Sequence, residues 1–236
     1  MRFWGPNIKI SGEWIMYSPS QNDNNARRNP DAAQYEEITQ NVLRNISQNV
    51  AGKTVLDAFT RSSHSVTIRP LAPAAAEKAQ SGAIFPEKAQ ETDVGSPSQP
   101  GPGSDSTIWF NPGSINIGGH FYRVNDTLLH ESIHALRQVR GIWRAVPLAG
   151  WDNREELYAT ILTNIYASSS GRNADMRGNH ARNFGPMQMT DSQFRQQFNF
   201  EILDFRSQMF DLYERIAAMR TGWNPLRVFE STLWNR

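Results

Sequence analysis

Apolar and polar residues recur along the chain with two different periods, and the period changes from one predicted element to the next. Apolar side chains spaced three and four residues apart predict helices, and alternation with a period of two predicts strands. The predicted strands cover residues 3–17 (one or two short strands, broken at Gly12), 66–68, 106–110 and 115–117. The predicted helices cover residues 31–50, 53–59, 127–140, 152–168 and, as one long helix or a pair, 191–220. This order of elements favours the α+β class with a small mixed sheet.

A segment of different composition interrupts this pattern between residues 72 and 105. It is rich in Ala, Pro, Gly, Ser, Gln and Glu, and the tetrapeptide Glu-Lys-Ala-Gln occurs at 77–80 and again at 87–90. Such a segment buries too little apolar surface to offset the entropy that ordering costs. We therefore predict one domain over residues 1–236 with a mobile insertion at 72–105. A linker between two domains is the alternative.

The helix predicted over residues 127–140, with Asn125 or Asp126 as its N-cap, contains the pentapeptide His130-Glu131-Ser132-Ile133-His134. Two histidines four residues apart lie on one face of a helix, so both imidazoles can reach one zinc ion. Glu131 is close enough to act as general base on a zinc-bound water. The pattern therefore predicts a Zn²⁺ site with His130 and His134 as metal ligands and Glu131 as a catalytic residue.

A catalytic zinc site takes a third protein ligand, and the chain has no cysteine to supply one. Three carboxylates begin the next predicted helix: Asp152, Glu155 and Glu156. An N-cap Asp152 with Glu155 three residues later would form an arrangement like a capping box, which leaves Glu156 available. The sequence therefore favours Glu156 as third ligand, with Glu155 and then Asp152 as alternatives.

The bulk composition excludes several other functions. The chain of 236 residues carries 24 basic and 23 acidic side chains, a balance that argues against a nucleic-acid-binding surface. There is no apolar run long enough to span a bilayer, and no secretory signal follows Met1. A protein that acts outside its own cytoplasm would then need another export route or be part of a larger polypeptide.

Several stretches resemble known zinc peptidases. The HExxH sequence followed by Glu156-Leu157-Tyr158-Ala159 resembles the gluzincins, the thermolysin-like branch. More narrowly, the chain resembles bacterial effector-type zinc metallopeptidases, which include host-directed type III effectors and C-terminal toxin domains of type VI spike and Rhs-type proteins. The stretches that carry this second resemblance are Trp109-Phe110-Asn111-Pro112, 129–136, 154–159 and Asn164-Ile165-Tyr166. The resemblance covers roughly residues 35–70 and 106–185.

The resemblance implies a zincin-like fold and a zinc-dependent endopeptidase, in which a zinc-bound water hydrolyses peptide bonds. It also implies a secreted protein, delivered into a bacterial periplasm or a host cytosol. The implied partners are a protein or peptide substrate, a secretion-apparatus carrier and an immunity protein. Two other functions stay open from the sequence: a zinc amidase acting on cell-wall peptides, and a non-catalytic module that binds a partner.

A peptidase of this type also needs a hydrogen-bond donor for the oxyanion. His180 is the leading candidate because it follows the Glu156 helix in a polar loop, Arg177-Gly178-Asn179-His180. Asp175 could orient its ring, a spacing similar to the acid–histidine pair of thermolysin-like enzymes. A surface histidine is the alternative interpretation, and Tyr158 and Tyr166 are further candidates for the donor.

Overall fold

The computed structural model of the chain describes residues 1–13, 31–70, 99–112, 115–117, 120–179 and 186–227. The architecture is mixed α+β, which confirms the predicted class. The strands are β1 (Arg2–Trp4), β2 (Ile8–Ile10), β3 (Val66–Arg69), β4 (Ser106–Trp109), β5 (Ile115–Ile117) and β6 (His120–Tyr122). The helices are α1 (Ala32–Ser47), α2 (Val50–Ala58), α3 (Val124–Val139), α4 (Arg154–Ser169), α5 (Asp191–Gln197), α6 (Asn199–Gln208) and α7 (Phe210–Ala217).

Four of the strands form one mixed sheet in the order β1-β2-β3-β4. β1 and β2 pair antiparallel, whereas β3 pairs in parallel with both β2 and β4. The chain turns between β1 and β2 at Gly5, whose φ of 66° is the left-handed conformation that glycine adopts readily. β5 and β6 form a separate antiparallel pair. β2 ends at Ile10, just before the break predicted at Gly12, but the turn at Gly5 was not predicted.

α3 lies at the centre of the helical layer. It packs against α1, α2 and β4, and its most extensive contact is with α4. Apolar side chains at helical spacing form the core-facing side of α3: Leu129, Ile133 and Leu136 are fully buried. These buried apolar side chains therefore keep α3 and α4 packed against each other in the core.

The start of α3 differs from the sequence prediction. The helix begins at Val124, and neither Asn125 nor Asp126 is its N-cap. Asp126 lies in the first turn, where its two carboxylate oxygens each accept a hydrogen bond of 2.7 Å from Arg172. Because Arg172 follows the end of α4, this ion pair joins the start of α3 to the end of α4. A partner that is 46 residues away leaves no signal in the local sequence.

The C-terminal part is three consecutive helices, so the prediction of one helix or a pair is wrong. The backbone leaves the helical conformation at Phe198 and at Met209, which separate α5, α6 and α7. Both side chains are buried, at 4% and 0% exposed. The chain therefore changes direction at two apolar anchors, and the apolar spacing continues across both breaks.

Parts of two sequence predictions lie outside the described residues: residues 14–17 of the first predicted strand, and residues 72–98 of the predicted insertion. No helix in the described part of the chain combines the length and the apolar character needed to cross a membrane.

Two glycines meet where the end of α3 contacts the segment that leads into β4. Gly103 and Gly141 both have positive φ, 74° and 65°. A Cβ atom at Gly103 would overlap the backbone of Val139, and one at Gly141 would overlap the backbone of Gly101. The amide of Gly101 also donates a hydrogen bond of 2.9 Å to the carbonyl of Gly141. The two backbones can approach this closely only because neither residue has a side chain.

We expect Gly141→Ala to lower the free energy of unfolding by at least about 2 kcal/mol, because positive φ and backbone overlap both act against alanine. Gly150 is a matched control: its φ is 82°, but a Cβ atom added there would meet no other atom within 4 Å. Gly150→Ala should cost only about 1 kcal/mol. Urea unfolding followed by circular dichroism measures both changes, and equal losses would show that the close approach is unimportant.

Candidate metal centre and active site

The side chains of His130, His134 and Glu156 come together between α3 and α4. Both histidines are buried, at 3% and 5% exposed, because their face of α3 is the face that packs against α4. Glu156 lies in the first turn of α4, and its side chain is 18% exposed. The cluster therefore opens to solvent on the side of the glutamate.

Three ligand atoms form a small triangle. His130 Nε2 lies 3.0 Å from Glu156 Oε2 and 3.2 Å from His134 Nε2, and His134 Nε2 lies 3.4 Å from Glu156 Oε2. Ligands placed about 2.0–2.1 Å from a tetrahedral zinc ion are about 3.3 Å from one another. The three separations thus match one face of a zinc coordination tetrahedron.

The chemistry of the donor set fits the same ion. Two imidazole nitrogens and one carboxylate oxygen are the ligands of many catalytic zinc sites, which leave a fourth position for water or substrate. Two nitrogen lone pairs that face each other at 3.2 Å repel unless a proton or a cation lies between them. The residues present therefore fit a divalent metal ion of the zinc type.

Electrostatics at the cluster favours a cation beside the carboxylate. Burial acts to lower the pKa of His134, but the charge of Glu156 outweighs it and raises that pKa to about 9. Burial acts to raise the pKa of Glu156, yet the two histidines hold it well below its usual range. Burial lowers the pKa of His130 to about 3. A metal ion bound here would take the place of the proton on His134, because both imidazoles must be neutral to bind it.

Glu131 is next to the first histidine on α3 and is half-buried. Burial raises the pKa of its carboxyl group to about 8, while the neighbouring charge of His134 acts in the opposite direction. A carboxyl group whose pKa lies near neutrality can exchange a proton with a reacting group in either direction. This is the property that the sequence-predicted role of general base requires.

Glu155 faces away from the cluster, and the physical reason for this was not predicted. Instead of forming a capping box with Asp152, its carboxylate binds the buried guanidinium of Arg137 on α3. The N-cap of α4 is Asn153, whose side chain accepts a hydrogen bond of 3.1 Å from the amide of Glu156. The ranking of Glu156 above Glu155 therefore agrees with the geometry, whereas the capping argument behind it is wrong.

The structure shows hydrogen-bond partners for two of the residues considered for the oxyanion donor or its orientation, Asp175 and Tyr158. His180 lies outside the described residues. Asp175, which was expected to orient it, accepts hydrogen bonds from Arg172 and Arg123, at 3.0 and 2.9 Å. The hydroxyl of Tyr158 donates to Asp204 at 2.7 Å and so is already engaged elsewhere.

Arg177 is a residue near the site that sequence analysis named only as part of the loop before His180. Burial is the largest influence on the pKa values of His130 and Glu131, and the positive charge of Arg177 is a further one that lowers both. Its backbone is fixed to α4, because the side chain of Asn164 exchanges two hydrogen bonds with it, at 2.7 and 2.9 Å. A cationic residue three positions before a candidate histidine was the available signal.

The fold and this cluster define an α+β protein with a candidate metal centre between two packed helices. The chain belongs to peptidase family M91, described as an effector protein family, whose profile matches residues 22–204. Comparison with curated proteins and with solved structures gave no significant match. The family indicates a peptidase that acts on protein substrates as an effector, which is a protein delivered into a host or target cell.

Proposed function

We propose that the chain is a zinc-dependent endopeptidase of the gluzincin type. His130, His134 and Glu156 would hold the zinc ion, and Glu131 would be the general base. The observation that carries the proposal is the convergence of three ligand atoms, 3.0–3.4 Å apart, from the HExxH helix and the helix packed against it. The match to a peptidase family supports hydrolysis of peptide bonds as the reaction.

A bound zinc ion would supply Lewis acidity, which acidifies water and polarises the scissile carbonyl. The chain's own residues would then handle the protons. The carboxylate of Glu131 would accept a proton from the attacking water and afterwards donate it to the leaving amine. Its raised pKa suits both transfers, because the carboxylate of a stronger acid would be too weak a base to take the proton from water.

Two cationic or polar groups would stabilise the oxyanion. His180 remains the proposed donor, on the strength of its position after the Glu156 helix and of the resemblance to thermolysin-like enzymes. The positive charge of Arg177 supports the same function, because it acts on both His130 and Glu131 at the cluster. A positive charge beside the cluster would stabilise negative charge that develops on the substrate during attack.

An extended substrate would pair with the sheet. Within the described strands, β4 is at one end of the four-stranded order and packs against α3. The hydroxyl of Ser106 on β4 donates a hydrogen bond of 2.6 Å to Gln138, which fixes the strand to the helix of the site. Addition of a peptide strand at such an edge is a common way to hold an extended substrate.

The finer biological setting rests on the resemblance seen in the sequence together with the effector family. We propose a secreted bacterial toxin or effector, with a secretion-apparatus carrier, such as a type VI spike, and an immunity protein as partners. We further propose that residues 1–236 form one domain. The mobile insertion predicted at 72–105 does not extend to its last residues, because Gly101 and Gly103 pack against the end of α3.

Zinc content tests the proposal. We expect purified protein to contain about one zinc per chain by plasma mass spectrometry, and Glu156→Ala to contain almost none, because two histidines alone bind zinc weakly. His64, whose ring donates a hydrogen bond of 3.0 Å to the carbonyl of Pro102, provides a control: His64→Ala should keep its zinc. Absence of zinc from the wild type, even after incubation with the metal at neutral pH, would refute the enzyme and favour a partner-binding module.

A further inference from the structure

A buried ion pair lies directly beside the candidate metal centre. The side chains of Arg137 and Glu155 are each 1% exposed. Arg137 is on α3, one helical turn after His134, and Glu155 immediately precedes Glu156 on α4. Neither residue belongs to the cluster of metal-ligating atoms. A pair of charges so deeply buried costs solvation energy, so its place next to the site calls for a physical explanation.

Several hydrogen bonds hold the pair, although Nη1 of Arg137 has no partner among the described residues. Arg137 donates from Nε and Nη2 to the two carboxylate oxygens of Glu155, the second at 3.0 Å. The amide of Arg144 also donates to Glu155, at 2.8 Å. Arg137 Nη2 makes two more contacts, with the carbonyl of Ile142 at 3.1 Å and with Gln208 Oε1 at 2.6 Å. The first turn of α4 is therefore attached to α3 at a fixed point.

The contact with Gln208 extends this network to α6. Gln208 donates a hydrogen bond of 2.9 Å to Asp204, which also accepts one of 2.7 Å from the hydroxyl of Tyr158. The guanidinium of Arg137 lies 4.7 Å from the centre of the Tyr158 ring. The start of α4 is thus held at Glu155 and at Tyr158, before and after Glu156 along the helix.

We infer that Arg137 and Glu155 are positioning residues, which place Glu156 for metal binding, and that α6 takes part through Gln208. The inference rests on the proposed zinc site. A metal site tolerates errors of only a few tenths of an ångström in ligand position, and Glu156 must meet two histidines whose positions are set by another helix. The bidentate pair determines the register of α4 against α3 one residue before that ligand.

A purely stabilising role makes a different prediction. Replacing both members of a buried ion pair by apolar residues of similar size is often neutral for stability, because no unpaired charge remains. Such a replacement would keep α3 and α4 packed and would remove the bidentate contact, together with the hydrogen bonds to Ile142, Gln208 and Arg144. The double variant Arg137→Met/Glu155→Leu therefore separates positioning from stability.

The measurement is the zinc affinity of metal-free protein, determined by competition with a fluorescent chelator. We expect the double variant to bind zinc about 10–100-fold more weakly than the wild type, as when outer-shell support of a ligand is lost. The single variant Arg137→Lys should also bind zinc more weakly than the wild type, because an ammonium group cannot form the bidentate contact with Glu155. The absorption bands of the Co²⁺-loaded double variant should also shift, since they report the coordination geometry.

The matched control is another bidentate pair at the end of the same helix. Arg140 donates hydrogen bonds of 2.8 and 3.1 Å to Asp211, which joins α3 to α7 and leaves α4 untouched. Arg140→Met/Asp211→Leu should keep the zinc affinity of the wild type. An equal loss in both double variants would overturn the inference in favour of general stability.

Two further results keep the inference separate from the proposed function. Wild-type affinity in a folded Arg137→Met/Glu155→Leu protein would overturn the positioning role and leave the zinc site intact. No zinc binding by the wild type would overturn the proposed function itself. If the double variant does not fold, Gln208→Leu takes its place: it removes one contact of Arg137 and should weaken zinc binding by about threefold to tenfold, whereas unchanged affinity would overturn the inference.

Discussion

Replacing Glu131 by glutamine is expected to slow peptide hydrolysis by about 10²–10⁴-fold, the usual contribution of a general base. The amide has almost the same shape as the carboxylate, but it cannot accept the proton of the attacking water. The substrate need not be known in advance. Wild type and variant are incubated with the same protein extract, new N-termini are labelled, and mass spectrometry compares their rates of appearance.

The variant should keep its zinc, because Glu131 is not part of the cluster of His130, His134 and Glu156. Zinc content and circular dichroism of the same preparations are therefore the controls. New N-termini that form equally fast with both proteins would rule out Glu131 as the base. If the wild type releases none from proteins but cleaves cell-wall peptides, the amidase becomes the better assignment.

Glu155→Ala is expected to lower the free energy of unfolding by about 3–5 kcal/mol, although the residue does not touch the metal centre. The substitution leaves the guanidinium of Arg137 buried without its carboxylate partner, and it also removes the acceptor for the amide of Arg144. Urea unfolding of metal-free protein measures the change without a contribution from bound zinc.

The neighbouring glutamate should behave in the opposite way. Glu156→Gln keeps the size of a partly exposed side chain and leaves the Arg137–Glu155 pair intact, so the metal-free protein should lose much less stability. Its main defect should be weak zinc binding, since an amide is a poorer ligand than a carboxylate. Comparable losses of stability in the two variants would mean that the buried pair contributes little to the fold.

The metal centre could be predicted from the sequence because local geometry defines most of it. The four-residue spacing of His130 and His134 places both on one face of any helix that contains them. The third ligand required only a carboxylate at the start of another helix, which narrowed the choice to three residues. The geometry agrees with the ranking of Glu156 first, but for a different reason, because Glu155 is engaged by Arg137 rather than by the start of its own helix.

The remaining features depend on partners that are distant along the chain. Asp126 is a residue type that is common at N-caps. Arg172, however, binds it from 46 residues away, and the helix starts two residues earlier. The helical spacing of apolar residues continues through Phe198 and Met209, so periodicity gave no sign of the two breaks. The backbone of Arg177 is fixed by two hydrogen bonds with the side chain of Asn164, and no sequence motif indicates this contact.

Sheet topology was also beyond the sequence pattern. Strands β3, β4 and β5 were predicted close to their observed positions, whereas β6 was not predicted. Nothing in the sequence indicated that β3 lies in parallel between β2 and β4. Parallel neighbours need long crossover connections, and one of the two crossovers here contains the segment of low complexity. Composition alone could not distinguish such a crossover from an interdomain linker.

The candidate ligands come from two helices, so the metal centre is complete only when both helices are packed together. α3 contributes two histidines and α4 contributes the glutamate, so a chain in which these helices have separated retains only part of the coordination shell. Under the proposed function, such a chain would be inactive towards the proteins that make or transport it. Activity would begin only when α4 packs against α3 and the completed site binds zinc, so folding would act as the switch.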